Sequence, residues 1–332
     1  MGRRRTKAPR HGSLAYLPRK RAERPIGKIR YWPEVTLQSP QLIGYAGYKV
    51  GMNSIYLVND VQGSPHYGQE VFCPVTVIET PPLFIGGVRA YTKTIDGLKS
   101  LTETWAEKLP RDAEKVMSQR KHKTTSLSTI KEALPRITEL RAIVFTQPRL
   151  ASVPQKKPEL FEVKITGGTL PDQLTYIEEK SGQTIEITEV FQDGQYIDVI
   201  GITKGKGVQG PVKRWGVKIL PRKTNKGRRK VGTLGPWSPS HVMYTVPRAG
   251  QMGFHQRTER NKRILHIQSN GVDLNPKSGF PHYGLVKASC ILVQGSIPGP
   301  VKRLLKFRYA VKAPQSSPDL PKITQIGLNE NT

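Results

Sequence analysis

From Leu42 to Thr94 the chain alternates short apolar or β-branched runs with Gly, Pro and Asn-Asp breaks: IYLVND at 55–60, VFCPVTVIET at 71–80 and PLFIGGVRAY at 82–91. Such runs predict strands. Apolar positions then fall at helical spacing in GLKSLTETWAEKLPRDAEKVMSQR (97–120, broken at Pro110) and SLSTIKEAL (126–134), so an inserted helical lobe is predicted. LRAIVFTQP (140–148) and LFEVKITGG (160–168) read as strands, LPDQLTYIEEKSG (170–182) as a short helix. QTIEITEVF and QYIDVIGIT read as a strand pair turned at Asp193-Gly194. Apolar periodicity is then lost until ASCILVQGSI (288–297) and VKRLLKFRYAVK (301–312), two strands joined at SIPGP. The polar tail from Pro314 is expected to be loosely held.

Charge changes this picture most. Fifty-three Lys and Arg against 25 Asp and Glu leave a net charge of +28, more than solubility needs, and such an excess calls for a polyanion. With 36% apolar residues, 31 Gly and 27 Pro, the 332 residues suggest one core carrying long irregular excursions. Cys73 and Cys290 have no C-x-x-C partner, which argues against a zinc module or disulfide framework and fits a reducing cytoplasm. No apolar run reaches membrane-spanning length, and the basic N-terminus lacks the apolar stretch of a signal peptide.

The charge is also unevenly placed. Residues 1–30 hold eleven Lys or Arg and one acid, Glu23, without apolar periodicity, and read as an arm that a polyanion orders. Its candidate RNA contacts are Arg3, Arg4, Arg5, Lys7, Arg10, His11, Arg19, Lys20 and Arg21. Residues 151–200 reverse the balance, with nine acids to four bases. From Val199 to Thr258 there is no acid at all, beside thirteen Lys or Arg and two tryptophans. A solvated face mixes signs, so these charges call for neutralisation from outside the chain.

Within that stretch, Gly205-Lys206-Gly207-Val208-Gln209-Gly210 spells the dinucleotide-binding fingerprint, but Pro211 and VKRWG do not predict the helix it requires, and no acid follows to hold a ribose. Two readings remain: Gly205, Gly207 and Gly210 permit close approach of an RNA backbone beside Lys204, Lys206, Lys213 and Arg214, or they form a tight turn between strands. RKTNKGRRKVGTLGPW places Arg222, Lys223, Lys226, Arg228, Arg229 and Lys230 ahead of Trp237, a basic loop with a base-stacking tip unless Trp237 is a core residue. No cysteine or carboxylate lies near His241, His255 and His266 before Glu259, which favours hydrogen bonding to RNA or packing over acid–base catalysis. Arg248, Gln251 and Arg257 complete the candidate contacts.

Three segments carry a resemblance: Phe191–Asp198, Gly201 and Thr203 through GKGVQGPVKR to Arg214; APRHGSLAYLPRKRA at 8–22; and GPWSPSHVMYTVPRAGQMGFHQRTERNKRI at 235–264. They closely resemble the universal large-subunit ribosomal protein L three family in its archaeal and eukaryotic form, over nearly the whole chain. The resemblance implies a mainly β protein: a six-stranded translation-factor-type β-barrel with an inserted α-helical lobe and long RNA-penetrating N-terminal and central extensions. It implies no catalysis, an early assembly role, a position near the peptidyl transferase centre, and the Trp237 loop close to the RNA that receives aminoacyl-tRNA. Asn225 stands where eukaryotic relatives carry a methylated histidine, and the chain ends at Thr332 without their C-terminal extension, which favours an archaeal source.

The expected organisation is a basic arm (1–40), the first part of the barrel (41–95), the helical lobe (96–160), barrel continued (161–203), the central extension (204–262), closing strands (263–313) and a tail (314–332). Expected partners are large-subunit ribosomal RNA and neighbouring ribosomal proteins, with no membrane, no small-molecule substrate, no homo-oligomer, and no cofactor or metal beyond Mg2+ carried by the RNA. An RNA-modifying enzyme using His255 and a peripheral membrane protein using the basic arm are the rival readings. The first lacks an acid–base set, the second an amphipathic apolar face.

Overall fold

The computed structural model describes residues 9–61, 63–117, 127–314 and 320–327. They divide into two compact units, one comprising Ile202–Arg257 with the chain up to Pro25, the other Ile26–Gly201 with the chain from Thr258.

The larger unit is built on two antiparallel sheets. Its strands are β1 (Gln41–Leu42), β2 (Gly44–Val58), β3 (Glu70–Glu79), β4 (Leu83–Thr94), β5 (Gly97–Trp105), β6 (Glu139–Phe145), β7 (Leu160–Thr166), β8 (Thr184–Ile185) and β9 (Tyr196–Ile202). After β10 (Gly205–Gln209) and β11 (Gly250–Gly253) come β12 (Gln256–Gln268), β13 (Cys290–Gln294), β14 (Leu304–Tyr309) and β15 (Ile323–Gly327). The first sheet runs β14-β9-β12-β13-β3-β2-β15, and β14 also pairs with β2. Phe307 is thereby opposite both Val199 on β9 and Tyr45 on β2. Val77 is opposite Leu292 and Ile78 is opposite Ile291, so fully buried side chains line both faces of the sheet here, and that burial is the main stabilising contribution. The second sheet runs β1-β7-β6-β4-β5, with β8 beside β4.

The predicted strands at 55–60, 71–80, 140–148, 160–168 and 288–312 are present, as is the helix at 170–182, here α3 (Leu170–Lys180), preceded by α1 (Arg111–Met117) and α2 (Leu127–Glu132). Other expectations are corrected. Residues 97–105 are strand, not helix: Leu98, Leu101 and Trp105 mimic helical spacing, but pairing with β4 from Gly87↔Trp105 to Thr94↔Gly97 prevails over the local pattern. The expected helix extends into 118–126, outside the described residues. Asp193-Gly194 does not turn a hairpin, because the Asp193 carboxylate accepts the Ile267 amide of β12 (2.7 Å) and β8 pairs with β4 instead. β4 and β7 leave the first sheet for the second. Part of the tail, Ile323–Gly327, is a strand paired with β2, and β12 begins inside the segment read as extension.

The acids of this unit are used internally. Asp198, fully buried, accepts from Arg308 (2.9 and 3.2 Å) and from the Asn261 amide (3.2 Å). Glu162 binds Arg89, Arg141 (3.3 Å) and the Tyr91 hydroxyl (2.7 Å) across neighbouring strands. Glu79, fully buried, accepts the Lys287 and Ala288 amides (2.7 and 2.9 Å), the Ser152 amide (3.2 Å) and the Tyr283 hydroxyl. Glu79→Gln keeps the shape but turns an NH2 group toward backbone donors. The expected loss is about 1–3 kcal/mol, read as a lower denaturant midpoint; an unchanged midpoint would show that the amide rearranges without cost. Cys73 and Cys290 are buried free thiols.

Candidate nucleic-acid interface

Residues 1–25 and 202–257 carry nine and thirteen Lys or Arg against Glu23 alone, whereas the other unit carries 31 against 24 acids. With one carboxylate side chain available, the smaller unit cannot neutralise its cations internally. It is held together by other means. β10 and β11 pair with a bulge between Gly205 and Val208, and a Cβ on Gly253 would stand 2.1 Å from the Lys204 carbonyl oxygen. Gly205 therefore packs against Gly253, and residues 205–209 are a strand rather than a tight turn between strands.

A single helical turn, α4 (Pro211–Trp215), does start after Gly210, contrary to expectation. Proline at its first turn is compatible with helical φ, and Gly216 ends it in the left-handed region. α4 presents Trp215 to the interior, where Gly12, at φ +74°, leaves room: a Cβ there would lie 2.6 Å from the indole.

Around Trp215 the two chain segments are tied by arginines. The Arg19 guanidinium lies 3.8 Å from the Trp215 ring centroid and Arg214 lies 5.4 Å away, cation–π distances. The indole N–H donates to the Arg248 carbonyl (2.9 Å) and Arg19 to the Arg214 carbonyl (2.6 Å). Arg214 donates to the carbonyls of Arg248 (3.0 Å), Gln251 (3.0 Å) and Arg19 (3.4 Å). Burial lowers the pKa of both arginines. The Gln251 amide donates to Gly253 O (2.9 Å), and Arg257 and Arg21 lie over Tyr16 (4.7 Å) and Phe254 (5.3 Å).

His255 is buried, and its Nδ1–H donates to the Lys20 carbonyl (2.9 Å). Burial, then the charges of Arg257, Arg19 and Arg214, push its pKa below the usual histidine value, against a raising contribution from the Lys20 bond. A base with a depressed folded pKa binds fewer protons folded than unfolded. Stability is therefore full above about pH 6.5 and falls as the unfolded imidazole protonates below it. His255→Asn, which keeps a donor near Nδ1, should flatten that acid loss in amide exchange at Ala22 and Thr203; an unchanged pH profile would remove His255 as its source.

The remaining candidates face outward. Arg10, His11, Lys20, Arg21, Lys204, Lys206, Lys213, Arg248 and His241 are exposed, as are Arg222, Lys223, Lys226, Arg228, Arg229 and Lys230. The basic loop is closed by the Leu220 amide on the Arg228 carbonyl (3.0 Å) and by the Arg228 guanidinium on the Leu220 carbonyl (3.2 Å). Trp237 is 98% exposed, which rules out the core alternative. No described atom lies within 4 Å of a Cβ built on Gly207 or Gly210. Arg3, Arg4, Arg5 and Lys7 lie outside the described residues. Sequence reading missed Trp215, Tyr16 and Phe254; the two tryptophans in an acid-free stretch were the available signal for Trp215.

No described helix is long and apolar enough to cross a membrane. The model of the family described as Ribosomal protein L3 matches residues 1–331. Among curated relatives, the large ribosomal subunit protein uL3 of Methanococcus aeolicus is 46% identical over 329 residues, 98% of each chain. The proteins of the same name from Archaeoglobus fulgidus and Methanocaldococcus jannaschii are 47% identical over 312 residues and 44% over 322, covering 93% and 96% of each chain. These relatives are archaeal, and the family is one of ribosomal proteins, not of enzymes. The chain belongs to the ribosomal protein L3 family.

Proposed function

We propose that this chain is a structural component of the large subunit of the cytoplasmic ribosome, where its smaller unit binds and orders ribosomal RNA beside neighbouring ribosomal proteins. The observation that carries this is the segregation of charge: the larger unit sets 24 acids among its 31 Lys and Arg and ion-pairs several of them, Asp198 and Glu162 included, while the smaller has Glu23 alone. Phosphates supply the missing counter-charge, and the exposed lysines and arginines supply affinity that does not depend on sequence. The ring of pairings β2-β3-β13-β12-β9-β14-β2 supports the reading of six strands as a translation-factor-type barrel.

By family resemblance the role extends to early assembly and to a position near the peptidyl transferase centre. The chemistry there belongs to RNA, with this protein as scaffold and modulator. Trp237, exposed at the end of a basic loop, is the residue we assign to modulation of aminoacyl-tRNA accommodation. Trp237→Ala should change stability by no more than about 0.5 kcal/mol, as for exposed sites generally. Subunits carrying it should assemble but show an altered accommodation rate in rapid-mixing kinetics; wild-type rates would remove Trp237 from that role.

The reading as a whole is tested by sedimenting tagged protein from lysate through a high-salt sucrose gradient. Co-migration with large-subunit RNA is expected, because high salt strips proteins held by charge alone. Recovery at the top, free of RNA, would overturn it.

A further inference from the structure

We infer that the smaller unit holds a preformed pocket for one unpaired RNA nucleobase, between residues 17–20 and 242–248. The inference rests on the RNA-binding reading above and adds what kind of nucleotide this surface selects. The pocket has a volume of about 400 Å3 and is lined by Leu17–Lys20, Arg214, Trp215, Val242–Tyr244, Val246 and Arg248. That is the scale of a site for a single small planar ligand.

Three properties select the ligand. The first is rigidity: the Trp215 N–H is fixed on the Arg248 carbonyl, and Arg214 bridges Arg19 O on one wall to Arg248 O and Gln251 O beyond the other. A pocket braced in this way has little ordering entropy left to lose on binding.

The second is an unused stacking surface. Tyr244 is 77% exposed, beside Met243 at 47% and Val242 at 42%, a contiguous apolar run with an aromatic plane in an otherwise polar loop. The third is charge: Arg19, Lys20, Arg214 and Arg248 line the same pocket with no carboxylate among them. Aromatic and guanidinium planes with cations placed for the flanking phosphates are the features that capture splayed-out bases of folded RNA. A fully paired helix keeps its bases stacked inside and offers nothing to insert.

The probes are a hairpin RNA carrying one bulged 2-aminopurine nucleotide and the same hairpin fully paired, titrated against the full chain at fixed salt. The bulged RNA is expected to bind about 5- to 100-fold more tightly, the range for stacking one base on an aromatic side chain, with a change in 2-aminopurine fluorescence. Tyr244→Ala should abolish the preference and leave affinity for the paired hairpin and its salt slope unchanged, while Tyr244→Phe retains both. Arg248→Gln, which preserves the backbone carbonyl holding Trp215, should reduce the preference as well.

Equal, salt-dependent binding of the two hairpins with unchanged fluorescence would overturn the pocket and leave the RNA-binding role standing. Binding of neither would overturn that role and the pocket with it. Adenosine monophosphate displacing the fluorescent base at the concentration of bulged RNA that does so would assign the pocket to free nucleotides, which also overturns the proposal.

Discussion

Replacing Arg222, Lys223, Lys226, Arg228, Arg229 and Lys230 together by Gln should flatten the salt dependence of binding to large-subunit ribosomal RNA by up to about 5 log units per log salt. The figure follows from about 0.9 released counterions per neutralised duplex phosphate, and falls to about 4 where the strand is single. At low salt the loss of affinity is correspondingly large, since six such contacts change binding by about a thousandfold between 50 and 200 mM. The folded protein should not suffer. All six side chains are exposed, no acid of the smaller unit other than Glu23 is available to pair with them, and removing like charges relieves repulsion. The loop closure also survives, because the Leu220 amide bonds to the backbone carbonyl of Arg228. Filter binding across a salt series measures the slope. A slope equal to that of the wild type would show that these six side chains face solvent in the bound state, and the electrostatic contribution would then have to come from the N-terminal arm and from Lys204, Lys206 and Lys213.

The same loop shows which properties a sequence displays openly. Charge does not depend on folding, so the absence of acids from Val199 to Thr258 was visible before any coordinates, and the exposed cations lie where that gap indicated. Strands such as Glu70–Glu79 and Cys290–Gln294 were legible for a related reason: a short apolar, β-branched run bounded by Gly, Pro or polar residues marks a strand even where, as here, consecutive positions are buried. β5 was not, because Leu98, Leu101 and Trp105 satisfy helical spacing, and only its neighbour β4 decides the matter. Nor was the internal use of Arg19, Arg214 and His255. Arg19 meets Arg214 across 195 residues and His255 meets Lys20 across 235, and nothing local distinguishes a guanidinium that will brace a backbone from one that will face a phosphate. Long-range contacts therefore divide the basic residues into two groups that composition cannot separate: braces around Trp215, and exposed cations presented by those braces.

Trp215→Ala should break that division at its centre. The indole is 95% shielded from solvent, carries Arg19 on its face and holds the Arg248 carbonyl through its N–H. Removing a buried tryptophan costs about 3–5 kcal/mol in transfer and cavity free energy, and the two arginines lose the plane that offsets their proximity to one another. An opening made easier by that amount raises amide exchange about a hundred- to several-thousandfold where exchange follows local unfolding. The amides to watch are Ala22, bonded to the Phe254 carbonyl, Thr203, bonded to the His255 carbonyl, and Phe254, bonded to the Lys204 carbonyl. Amides of β3 and β13, in the other unit, should exchange at wild-type rates. Trp215→Phe, which keeps a ring under Arg19 and gives up the N–H bond, should fall between, at about 1–2 kcal/mol. RNA affinity should decline with exchange protection across the three proteins, because the exposed cations contribute fully only when the braced segments hold them in one arrangement. Loss of protection without loss of affinity would mean that the RNA itself organises this unit, and that Trp215 stabilises only the free protein.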